Sequence, residues 1–133
     1  SIINRGKNEA QILSGLSHPH IQEYVGSREK DGKHILETRY FEGETLENIK
    51  LSKEDLIAVE SQLMKVLSYL IEKQVTHGDI NVSNVLFDGN NIQLIDWETA
   101  RQGDAVRDLF GPDYPSKHCG IVNVIRIMRE NTL

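Results

Sequence analysis

The sequence predicts an α+β fold, and three observations carry the prediction. An apolar stripe at helical spacing runs through residues 5–16, an Asp31-Gly32 turn separates two segments of strand character, and a capped amphipathic pattern runs from Ser52 to about Gln74. In the first segment Ala10, Ile12, Leu13 and Leu16 form the apolar side, and Gly15 with the Ser17-His18-Pro19-His20 break ends it. Strands are expected over 21–29 and 33–40, because Asp-Gly supplies the left-handed backbone that a tight hairpin needs. Gly43 is expected to end the second strand, with a short helix over 44–50. Ser52 opens the long helix with Asp55 as its capping-box partner, and Leu56, Val59, Leu63, Val66, Leu67 and Leu70 keep one face apolar. A loop over 75–84 leads to two short strands, Val85–Phe87 and Ile92–Ile95, turned by Asp88-Gly89-Asn90. The chain then reads as irregular from Trp97 to about His118. The last helix carries Ile121, Val122, Val124, Ile125, Ile127 and Met128, apolar nearly all round, so it is expected to be buried.

The 133 residues suffice for one domain with one core, residues 1–133. Hydrophobic residues at 38% and charged residues at 26% are ordinary for a globular chain, and recurring apolar runs argue against disorder. A formal charge of -5 with interspersed signs leaves no basic footprint for nucleic acid and no polybasic membrane patch. No run of about 18 apolar residues spans a bilayer, and Ser1-Ile2-Ile3-Asn4 lacks a signal-peptide layout. One cysteine, Cys119, cannot form an internal disulfide, which points to a reducing, cytoplasmic setting. Nothing in the composition speaks to oligomeric state.

The chemistry concentrates in His77-Gly78-Asp79-Ile80-Asn81-Val82-Ser83-Asn84 and in Leu94-Ile95-Asp96-Trp97-Glu98. Asp79 lies in a polar loop, Asn84 opens one strand of a hairpin, and Asp96 follows the other. A hairpin brings its outer ends together, so Asn84 and Asp96 are expected to be neighbours. An amide oxygen beside a carboxylate makes a hard donor pair suited to Mg²⁺, which binds through one or two side chains plus substrate phosphates. A nearby carboxylate free of metal, Asp79, can accept a proton from an attacking hydroxyl. Metal, positioned phosphate and base are what phosphoryl transfer requires.

The two segments resemble the catalytic loop and metal motif of the protein-kinase-like superfamily. His77-Gly78-Asp79 stands for His-Arg-Asp, and Asp96-Trp97-Glu98 for Asp-Phe-Gly. The resemblance implies Asp79 as catalytic base, Asn84 and Asp96 as Mg²⁺ ligands, and ATP as phosphate donor, with Leu86 beneath the adenine. Asn8 to Leu13 resembles the N-lobe helix, with Glu9 as its ion-pairing glutamate. Leu16 to Ile21 resembles the His-Pro-Asn-Ile turn. Thr38 to Gly43 resembles the hinge, which implies Thr38 as gatekeeper and the backbone of Arg39 and Phe41 as adenine partners. The fold implied is a protein-kinase-like one with an incomplete N-lobe, residues 5–42, and a shortened helical C-lobe, residues 43–133.

The pattern departs from the family at four points. Nothing before Glu9 resembles a glycine-rich loop or the strand with the ATP-binding lysine, and Arg5 and Lys7 share a helix with Glu9. Gly78 replaces the arginine that reads activation-loop phosphate, so no activation by loop phosphorylation is expected. His-Gly-Asp, Ile-Asp-Trp-Glu, Gly103-Asp104 and Asp108-Leu109 are similar to aminoglycoside and choline phosphotransferases and to small atypical kinases of the Bud32 and RIO kind. The chain closes after one helix beyond the activation segment, which resembles the stunted kinases that some bacteria deliver into host cells. Between Phe41 and His77 there is too little helix for a concave small-molecule pocket, so a protein substrate phosphorylated on Ser or Thr is the leading expectation. A small-molecule kinase and a pseudokinase interaction module are the alternatives.

Plainer roles apply to the remaining polar residues. His77 reads as a brace for the loop, Trp97 as packing, and Glu98 as solvent-facing. Asp104 and Asp108 read as local turn and cap groups. His18, His20, His34 and His118 lack metal-ligand spacing with Cys119 and read as structural or surface residues.

Overall fold

The computed structural model describes residues 2–110 and 119–132, with side chains from Lys7 onward. His118 and positions 111–118 of the expected irregular stretch lie outside the described residues. Helix α1 spans Ile2–Ser14, and a hairpin follows, β1 over Tyr24–Lys30 and β2 over Lys33–Thr38. Asp31 and Gly32 both take positive φ, 53° and 75°, as a twist-matched two-residue turn requires. α1 packs against this hairpin. Its buried Leu13 and Ala10 face inward, while Gln11 and Ser14 stay in solvent.

Helix α2, Lys53–Lys73, is the spine of the second half. The Ser52 hydroxyl accepts the Asp55 N–H at 3.1 Å, which satisfies one of the first-turn donors the helix leaves unpaired. At the other end Gln74 turns left-handed at φ 55° and donates its N–H to the Ile71 and Leu70 carbonyls. The inward face buries Val59, Leu63, Val66, Leu67 and Leu70. Each such side chain contributes roughly 1.5–3 kcal/mol relative to exposure.

Two sheets cover that face. β3, Glu44–Thr45, β5, Val85–Phe87, and β6, Ile92–Leu94, form an antiparallel trio in the order β3-β5-β6. β4, Val75–Thr76, pairs with β7, Arg101–Gln102. α3 spans Arg107–Phe110 and α4 spans Ile121–Glu130. Val85, Ile92, Leu94, Trp97, Ile121, Val124 and Met128 join the α2 face in one core.

Several expectations are corrected. The 44–50 stretch is a two-residue strand followed by a single 3₁₀ turn, Leu46–Asn48. β2 ends at Thr38 and not near Gly43. Gly43 instead marks a close approach, since a Cβ there would lie 2.9 Å from the Phe87 carbonyl oxygen. The expected loop over 75–84 begins with β4, and the stretch after Trp97 contains β7 and α3. α4 is not buried all round: Val122, Arg126 and Arg129 face solvent while Ile121, Val124 and Met128 face α2. Counting apolar residues overstated its burial, because the buried set recurs at helical spacing on one side only.

The two halves meet at two places. At the first, His20–Gln22 lies along the outer edge of β6: Leu94 N–H donates to the His20 carbonyl at 2.8 Å, and Gln22 N–H to the Leu94 carbonyl at 3.1 Å. The second is where the chain itself passes from one half to the other, beyond Arg39, whose N–H donates to the Glu23 carbonyl at 3.0 Å. Among the described residues no helix is long and apolar enough to cross a membrane.

Candidate functional site

β4 delivers the chain to His77, which is fully buried with its ring edge-on to Trp97 at 4.6 Å between centroids. Nε2 lies 2.9 Å from the Ile95 carbonyl, which can only accept, so Nε2 carries the proton. Nδ1 then accepts the Asp79 N–H at 3.0 Å. Burial lowers the His77 pKa, against the upward pull of the Ile95 carbonyl and of Asp108, Asp79 and Asp96, so the ring is neutral. A neutral imidazole joining two backbone segments fits the expected brace.

Gly78 holds φ 90°, and a Cβ there would meet the Thr99 carbonyl oxygen at 3.0 Å and Arg101 Nη1 at 3.3 Å. An arginine cannot take this place without strain and collision. The Thr99 hydroxyl donates to the His77 carbonyl at 2.9 Å, locking the loop to the segment after Trp97.

Asp79 is half-buried, and its carboxylate is held from several sides. Oδ1 accepts from Asn81 Nδ2 at 2.9 Å and from the Cys119 thiol at 3.4 Å. Oδ2 accepts from Asn84 Nδ2 at 3.2 Å, and the same amide nitrogen donates to the Asp79 carbonyl at 2.8 Å. Buried Asn84 therefore turns its nitrogen toward Asp79, which leaves its oxygen available as an acceptor. Asn81 Oδ1 in turn accepts from the backbone and side chain of Ser83.

Asp96 is exposed and left-handed at φ 59°. Its neighbour Ile95 donates N–H to the Asn84 carbonyl at 2.9 Å, so the hairpin ends meet as expected from the spacing. Glu9 approaches from α1, and its Oε2 accepts the Trp97 N–H at 3.0 Å. Burial raises the Glu9 pKa, the Trp97 bond opposes this, and Asp96 and Glu98 add to the rise. Lys7 pairs with Glu29 at 3.4 Å and not with Glu9.

The structure thus links Asp79 to Asn84, Asn84 to Ile95 next to Asp96, and Glu9 to Trp97 on the other side of Asp96. Thr38, Arg39, Phe41 and Leu86 lie outside that hydrogen-bonded group among the described residues. The Thr38 hydroxyl accepts from Gln22 Nε2 at 3.0 Å, and Arg39 forms an ion pair with Glu23. Leu86 sits half-buried in the middle of the trio, opposite Thr45 and Gln93.

One site residue has a different role from the local cap its sequence suggests. Asp108 is buried, and its two carboxylate oxygens accept the N–H groups of His77 at 2.8 Å and Gly78 at 2.9 Å. It is a long-range anchor of the 77–79 loop, not a local cap. The signal available was the resemblance carried by Gly103-Asp104 and Asp108-Leu109; Asp104 itself makes the local turn, accepting the Val106 N–H at 3.0 Å. His18 and His20 are structural: His18 Nδ1 accepts the His20 N–H, and the His20 ring bonds the Ile92 carbonyl.

The model of the protein kinase domain matches residues 3–130. The chain belongs to the protein kinase family. As a protein kinase domain it is of the phosphotransferase class, and α1 with the β1–β2 hairpin forms a partial N-lobe against an α2-centred C-lobe. Among similar proteins, serine/threonine-protein kinase 36 of Pongo abelii is 34% identical over 100 residues, 71% of this chain and 8% of that protein. The probable serine/threonine-protein kinase YbdM of Bacillus subtilis is 27% identical over 104 residues, 74% of this chain and 41% of that protein. The dual specificity protein kinase zakA of Dictyostelium discoideum is 32% identical over 99 residues, 68% of this chain and 13% of that protein. The kinase domain therefore spans less than half the length of each of these relatives.

Proposed function

We propose that this kinase domain transfers the γ-phosphoryl group of ATP, with Mg²⁺, to a serine or threonine hydroxyl of a protein. The observation that carries the reading is the orientation of Asn84. Its amide nitrogen is committed to Asp79, which leaves Asn84 Oδ1 and the Asp96 carboxylate as two hard oxygen donors on adjoining backbone. That donor set fits Mg²⁺, which takes one or two protein ligands and completes its shell with phosphate and water. When bound, the metal neutralises charge on the phosphate oxygens.

The chain's own residues do the rest. Asn84 and Asn81 hold the Asp79 carboxylate, and an Asp79 oxygen accepts the proton of the attacking hydroxyl. The neutral His77 fixes the loop's backbone, and Glu9 fixes the residue that follows Asp96. At the hinge the Arg39 N–H already serves Glu23, so the Arg39 carbonyl and the Phe41 backbone remain for adenine, with Thr38 behind and Leu86 below. Protein acceptors are favoured by the names of the relatives, two of them serine/threonine kinases.

A second reading, an interaction module without transfer, draws on Glu9. Among the described residues no lysine meets its carboxylate. A thermal-shift assay with Mg·ATP separates the two. Stabilisation of the wild type but not of Asp96→Ala supports the kinase, and no shift at saturating nucleotide supports the module. A labelled γ-phosphate offered to protein and to metabolite acceptors then identifies the substrate class. Asp79→Ala is expected to bind nucleotide while losing transfer by orders of magnitude; equal loss of binding would remove Asp79 from the role.

A further inference from the structure

Two contacts join the start of α4 to the 77–84 loop, and a third braces that start from within. The Gly120 N–H donates to the Ile80 carbonyl at 2.7 Å, and Gly120 turns the chain at φ 94°. The buried Asn123 side chain donates to the Cys119 carbonyl at 2.6 Å, which fixes the backbone of Cys119 from within α4. The half-buried Cys119 thiol then reaches Asp79 Oδ1 at 3.4 Å. The thiol is thus delivered to the carboxylate by a corner that is itself bonded on both sides.

We infer that Cys119 is a positioning residue for the Asp79 carboxylate, holding it from the turn before α4 opposite the amide of Asn84. The inference rests on the reading of Asp79 as the group that receives the hydroxyl proton. Asn84 contacts Oδ2 while Asn81 and Cys119 contact Oδ1, so the three donors fix the carboxylate plane. Loss of the thiol leaves Oδ1, among the described residues, with Asn81 as its side-chain donor and frees the plane to turn. Cys119 touches no reacting atom, so its effect falls on turnover and not on nucleotide affinity. A serine supplies an O–H donor at the same place, whereas alanine supplies none.

Two measurements test this, one independent of catalysis. An anionic carboxylate beside a thiol opposes formation of the reactive thiolate. Alkylation of Cys119 by iodoacetamide at fixed pH is therefore expected to be several-fold faster in Asp79→Asn than in the wild type. Equal rates would remove the contact and the inference with it. In the second measurement Cys119→Ala is expected to lower kcat by about tenfold at unchanged KM for ATP, and Cys119→Ser to restore most of it. Wild-type kcat in a folded Cys119→Ala protein, verified by its melting curve, would overturn the positioning role. A wild type that transfers no phosphoryl group would defeat the proposed function instead, and the alkylation rates would still decide whether the thiol holds Asp79.

Discussion

Glu9 on α1 accepts the backbone N–H of Trp97 at 3.0 Å across 88 positions of sequence. The bond ties the partial N-lobe to the backbone next to Asp96. The carboxylate is half-buried, so it loses hydration, and the Trp97 N–H offsets only part of that loss. Glu9→Gln keeps an acceptor and removes the desolvated charge, and it is expected to leave the melting midpoint unchanged or slightly higher. Glu9→Ala leaves the Trp97 N–H without a partner and is expected to cost about 1–2 kcal/mol in urea unfolding. Equal destabilisation by both would show that the charge, not the acceptor, matters.

Asp108 satisfies two buried N–H groups at once. Asp108→Ala orphans both and is expected to cost roughly 2–4 kcal/mol. Asp108→Asn retains one acceptor oxygen and should fall between. Because the orphaned donors belong to His77 and Gly78, transfer should fall with stability. Hydrogen exchange should rise first at positions 77–79, and unchanged protection there would place the anchor elsewhere.

His77 gives stability a pH dependence of defined sign. Its folded pKa is lowered, chiefly by burial, so the unfolded chain takes up a proton first, near about pH 6.5. The His77 contribution is therefore complete above that value and is lost as pH falls below it toward the folded value. Denaturant midpoints measured from pH 7 down to 5 should decline in the wild type, and less steeply in His77→Gln, which cannot titrate. Parallel slopes would assign the acid sensitivity to other groups.

Gly78→Ala places a methyl group 3.0 Å from the Thr99 carbonyl oxygen at a φ that side chains avoid. A loss of about 1–3 kcal/mol is expected from strain alone. Gly78→Arg should be at least as damaging and should not make transfer responsive to phosphorylation in the segment after Trp97. A folded Gly78→Ala protein of wild-type stability would contradict the backbone argument.

Much of the architecture was legible because it depends on local signals. Ser52 and the Val59–Leu70 stripe located α2, and Asp31-Gly32 located the hairpin. The meeting of the hairpin's outer ends, Asn84 with Ile95, followed from strand pairing. What escaped depends on contacts between distant positions. β4 and β7 are two residues each and exist only because they pair, so neither has a pattern of its own. Asp108 sits in a short helix whose sequence resembles any surface turn, and its importance lies in donors 30 and 31 residues away. The solvent face of α4 was obscured by Val122, an exposed valine that no partner covers in the described structure.

The strap at His20–Gln22 governs how the cleft can move. Ile21 is buried and its flanks are hydrogen-bonded to Leu94, so this contact is pinned to the larger lobe. The passage of the chain between the halves, beyond Arg39, runs through exposed Tyr40. A body held fast at one strand and loosely at another swings like a door on a single hinge pin. Movement of the smaller lobe would then be a rotation of α1 and the hairpin about residues 20–22, with the largest travel at the far tip, Asp31-Gly32, and the least beside Leu94.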